Sequence, residues 1–115
     1  MSFWRKEVID AALDAETVAH IAEQKEWIAR EPRNPQPWYN LARLYRMQWK
    51  ADEALGLLLQ AVALQDSFPP AHLALAEIYA IREDYPAAWK HARKAEQCGD
   101  AAACEMLRRH GVPEP

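Results

Sequence analysis

The side chains best equipped for chemistry lie near the C-terminus: His91, Cys98, Cys104 and His110. Imidazole nitrogen and thiolate sulfur are zinc ligands, and two thiols can cycle with a disulfide. The spacing argues against both uses. Six, five and five residues separate the four groups, whereas common zinc knuckles space their ligands by two to four. Cys98 and Cys104 also straddle a predicted turn at Gly99-Asp100, which leaves their relative direction open. A metal or redox site at His91/Cys98/Cys104/His110 is therefore the last of the readings considered. A buried free cysteine beside surface histidines is the plainer one. Enzyme signatures are missing as well. There is no glycine-rich phosphate loop, HExxH or G-x-S-x-G, and the hydroxyl nucleophiles besides tyrosine are Ser2, Thr17 and Ser67. Glu26 and Glu105 stand four residues before Arg30 and Arg109, the spacing of solvated helix ion pairs. The expectation is no catalysis, no cofactor and no metal.

The elements that would position any site follow from composition. A chain of 115 residues is one domain's worth, and with half its residues hydrophobic it carries a modest core. Only three residues are glycine; Ala, Leu, Glu, Lys, Arg and Gln dominate, and no alternating β-branched run or Asn-Gly turn occurs, so the class is all-α. A net charge of −3 gives no basic face for nucleic acid or an anionic membrane. No apolar run reaches the ~20 residues of a membrane span. The start, Met-Ser-Phe-Trp-Arg-Lys-Glu, lacks the apolar stretch of a signal peptide. A cytoplasmic location and reduced cysteines are expected.

One constant shift of the chain superposes Leu41 on Leu75, Ala42 on Ala76, Leu44 on Ile78 and Tyr45 on Tyr79. The same shift superposes Ala54 on Ala88, Ala61 on Ala95 and Asp66 on Asp100. Each unit splits into two helical stripes. Trp38, Leu41, Ala42 and Tyr45 fall at i, i+3, i+4, i+7, and Ala54, Leu55, Leu58, Ala61 and Val62 form a second stripe. The spacing predicts helices over 36–48, 51–65 and 70–82, with Asp84 as N-cap of the next. Upstream, helices are predicted over 3–12, with Phe3, Trp4, Val8 and Ile9, and over 14–30, with Val18, Ile21, Ala22, Ile28 and Ala29 on the apolar side. Downstream, Asp100 caps a last helix to about His110, whose end is complemented by Arg108, Arg109 and His110. The small residues let helices approach, and Trp38, Leu41 and Tyr45 fill the gaps.

This pattern resembles the tetratricopeptide repeat family, whose 34-residue unit reads W-x2-L-G-x2-Y…A-x3-F…P. Trp38-x2-Leu41-Ala42-x2-Tyr45, then Ala54, Leu58 and Ala61, match one unit, with Ala for Gly and Leu for Phe. Leu75-Ala76-x2-Tyr79, then Ala88, Ala92 and Ala95, match the next, with His72 in place of the tryptophan. The resemblance implies an α-solenoid of antiparallel helix hairpins in a right-handed superhelix, with about seven helices. Its divisions are a degenerate repeat or cap over 1–34, repeats over 35–68 and 69–102, and a capping helix over 100–110, all in one domain. It also implies a protein-binding adaptor or scaffold whose concave groove takes a partner peptide. Carried over residue by residue, the groove consists of Gln36, Tyr39, Asn40, Arg43, Arg46, Met47, Leu73, Ala74, Glu77, Ala80 and Ile81. Tyr39, Met47, Leu73 and Ile81 would form an apolar floor and Arg43 and Arg46 a positive side, suiting a peptide with apolar and acidic residues. The carboxylate clamp of some family members is not expected, since Pro70 and Ala74 stand where it needs basic side chains. Trp49 occupies a turn where the family has glycine, and Trp89 a position where leucine is usual. With five tryptophans in the chain, the alternative is a self-assembling structural component, a homodimer through exposed aromatic surfaces.

Overall fold

The computed structural model describes the backbone of residues 2–115 and the side chains of residues 14–115. Among the described residues there are six α-helices and no strand: α1 (Ser2–Arg30), α2 (Pro35–Met47), α3 (Ala51–Leu64), α4 (Pro69–Ile81), α5 (Tyr85–Gln97) and α6 (Ala102–Arg109). The expected break near residue 13 is absent, so α1 is one helix where the sequence predicts two. The reason is local. Ala11-Ala12-Leu13-Asp14-Ala15-Glu16 contains no glycine or proline, and an aspartate alone does not stop a helix. The packing assigned to Phe3, Trp4, Val8 and Ile9 lies outside the described side chains. Ile21 is buried and Ile28 half-buried, but Val18, Ala22 and Ala29 face solvent.

Helix starts follow the prolines and caps. Asn34 accepts a hydrogen bond from the Gln36 amide (3.0 Å) before Pro35, and Asp84 accepts from Ala87 (3.3 Å) before Tyr85-Pro86. Proline suits these first-turn positions because its missing N–H has no helical partner there. Asp100 accepts from the Ala102 amide (2.9 Å), in a turn one residue ahead of the cap of α6.

The ends are alike too. The Trp49 amide donates to Arg46 and the Lys50 amide to Tyr45; Glu83 and Asp84 repeat this onto Ala80 and Tyr79. Such paired bonds need a left-handed residue, and Trp49 (φ 62°) and Glu83 (φ 61°) supply it. Pro35 and Pro69, Met47 and Ile81, and Ala51 and Tyr85 are all separated by the interval that carries Leu41 onto Leu75. The helix starts, the ends of α2 and α4 and the turns after them thus recur at that interval.

Each helix packs on its neighbours in sequence, and α4 also touches α6. The result is a plate of 51 × 38 × 22 Å, about two helix diameters thick. Two apolar clusters hold it. Ala42, Ala54, Leu58, Ala61, Ala71, Ala74, Leu75 and Ile78 join α2, α3 and α4. Ala76, Ala88, Trp89, Ala92, Ala103, Cys104 and Leu107 join α4, α5 and α6. Leu58 and Leu75 are wholly buried, each contributing about 2 kcal/mol of transfer free energy. No helix among the described residues is long and apolar enough to cross a membrane.

Candidate functional site

The nominated groove residues lie on α2 and α4, and the structure distributes them unevenly. Gln36 donates to Asn40 (2.9 Å), and Asn40 donates to Gln24 of α1 (3.1 Å). Asn40, Arg43 and Met47 then line a mixed polar and apolar cleft with His20 and Gln24 of α1. Tyr39 meets Phe68 edge-on, ring centroids 5.7 Å apart, with the exposed Arg43 guanidinium over its other side at 5.9 Å. Arg46 reaches across to Glu77, 3.1 Å, so the two charges offset one another. Arg43 is the nominated cation without a carboxylate partner among the described residues.

On α4 the picture divides again. Ala74 is buried in the first cluster and offers no surface, because α4 turns that position toward α2 and α3. Leu73 packs against the second cluster, so the apolar floor loses one member. Glu77, Ala80 and Ile81 open onto a mostly apolar cleft of about 380 Å³ closed by Tyr85, Met106, Leu107, His110 and Val112. The contributions of α1 and α6 to these clefts are not legible from the repeat, because neither helix belongs to it. The amphipathic spacing of Ala103, Met106 and Leu107 is the available signal for α6.

A buried histidine pair also lies outside the sequence reading. His72 and His91 stack with Nδ1 atoms 3.0 Å apart, and Tyr79 stacks on His91 at 5.6 Å. His72 Nε2 lies 2.7 Å from the Asp66 carbonyl, which can only accept, so that nitrogen carries the proton. When both rings are neutral, His72 Nδ1 then accepts from His91 Nδ1–H. In the preceding hairpin, Trp38 Nε1–H donates to the Pro32 carbonyl at 3.2 Å. Trp38 and Pro32 are the repeat counterparts of His72 and Asp66. The histidine thus preserves the tryptophan's bond to the turn. Burial, then the charges of His72 and Lys90, lower the His91 pKa to about 4.

The four C-terminal groups are not brought together. His91 faces His72, Cys98 is exposed, Cys104 is buried in the second cluster and His110 sits on the α4/α6 cleft. Among the described residues no three His, Cys, Asp or Glu side chains converge as metal ligands do. Burial raises the Cys104 pKa, the wrong direction for a reactive thiol. Trp89 is fully buried, with Arg93 and Arg108 over its ring at 5.8 and 5.6 Å, whereas Trp49 is 94% exposed.

No protein-family model matches the chain, and no curated protein matches it.

Proposed function

We propose that this chain is a non-catalytic protein-binding module of tetratricopeptide type, holding a peptide segment against α2 and α4. The observation that supports it most is the pair of consecutive hairpins, whose helix starts, intervening turns and ring-to-turn bonds recur at one constant offset. Arg43 and Met47 of α2 and Ile81 of α4 remain exposed, and mechanism there is presentation of surface rather than bond-making. The peptide's acidic group belongs at the α1/α2 end, where Arg43 stands beside Asn40 and Gln24. Its apolar side chains belong along Tyr39, Met47 and Ile81. A cytoplasmic partner protein fits this reading, and nucleic acid does not.

The double variant Tyr39→Ala/Arg43→Glu tests the assignment. A partner captured from cell extract by the parent protein should be lost by the variant, while circular dichroism and melting stay near parental values. Undiminished capture by a folded variant would remove the groove from consideration.

A further inference from the structure

Four of the exposed large hydrophobic side chains gather at one edge: Val18, Met47, Trp49 and Ile81, at 58, 67, 94 and 77% exposure. Trp49 is shared by two clefts, one bordered by Val18 and Met47, the other by Ile78 and Ile81. Ile81 in turn borders the apolar α4/α6 cleft. A protruding ring, an isoleucine and a recess therefore follow one another along the edge. Trp49 projects from a left-handed residue (φ 62°), a conformation that costs a bulky side chain about 1 kcal/mol or more. Backbone strain that presents a fully solvated indole gains no packing within one chain.

We infer that this edge is a two-fold interface between copies of the chain, with Trp49 of each seated in the other's α4/α6 cleft. Three observations select a second copy as the occupant. The projection and the recess are on the same chain, and Ile81 borders both. A two-fold axis through Ile81 therefore exchanges them and makes both contacts at once. The recess, about 380 Å³, falls in the size range that accepts an aromatic group. Glu77 on its rim has a carboxylate oxygen beyond the one that accepts from Arg46, an acceptor for the indole N–H. The area is also sufficient. With up to about 250 Å² from a tryptophan, the four side chains offer roughly 600 Å², and the cleft rim brings this toward the ~800 Å² per partner of a standard interface. The contact covers Met47 and Ile81 as well as the α4/α6 end, so it competes with a peptide's apolar side chains there and leaves Asn40, Arg43 and Gln24 open.

Sedimentation of the full chain from micromolar to millimolar concentration tests this. The parent protein should dimerise, with tryptophan emission moving to shorter wavelength as Trp49 leaves water. Trp49→Gly, which removes the projection, and Ala80→Arg, which blocks the recess, should each weaken association at least ~30-fold, as expected for a central aromatic anchor. At concentrations where the parent is monomeric, Trp49→Gly should also melt higher than the parent, since glycine relieves the left-handed turn. A mixture of the two variants retains one intact contact, so it should associate where neither does alone. A parent that stays monomeric at millimolar concentration overturns the inference. So does a dimer that survives both substitutions in folded protein.

Discussion

Residue for residue, the sharpest contrast between the hairpins is the exchange of Trp38 for His72. The tryptophan has one N–H and no acceptor, so its bond to the Pro32 carbonyl completes it. Histidine makes the same bond and is left with an acceptor, which His91 fills. The linkage has a pH consequence. The His91 pKa is lowered to about 4 from 6.5, so between those values the unfolded chain binds a proton that the folded one refuses. Stability should therefore be complete above about pH 6.5 and fall as pH drops toward 4, by up to about 3 kcal/mol from this group. His91→Leu should flatten that part of the pH profile. At pH 8 it should cost about 1–2 kcal/mol, because His72 Nδ1 loses its donor. Urea unfolding of both proteins across this range measures the effect, and parallel curves would refute it.

Helix by helix, one turn geometry serves four times. Trp49, Glu83, Gly99 and Gly111 all have positive φ and all donate back to the preceding helix. Glycine adopts this conformation without strain, whereas Trp49 and Glu83 do not. Glu83 is exposed and makes no side-chain hydrogen bond or ion pair among the described residues. Glu83→Gly should accordingly stabilise the protein by about 1 kcal/mol, read as a higher urea midpoint at unchanged slope. A lower midpoint would mean that the glutamate serves the turn in some further way. The uninterrupted α1 belongs here as well. The sequence reading divides this stretch into helices over 3–12 and 14–30, but the good helix formers of 11–16 offer no break between them.

For the molecule as a whole, sequential packing makes stability a matter of neighbours. α6 contacts α4 and α5, and Leu107 and Trp89 are wholly buried where they meet. Leu107→Ala should cost about 2–4 kcal/mol. Hydrogen exchange should then accelerate most in α5 and α4 and least in α1 and α2. Equal acceleration throughout would mean that the plate unfolds as one unit with no graded coupling.

The all-helical class and the positions of α2 to α5 are legible in the chain, because a helix repeats its apolar face every 3.6 residues. Leu41, Ala42, Tyr45 and their counterparts at 75, 76 and 79 carry that information locally. What a residue faces across a gap is different, since it depends on elements distant in sequence. Trp89 and Trp49 are equivalent oddities in the sequence, yet α6 helps to bury one while the other stands in solvent. His72 and His91 are separated by 19 positions, and Arg46 meets Glu77 from another helix. Periodicity assigns a side chain to one face of its helix; the packing of helices decides what lies opposite.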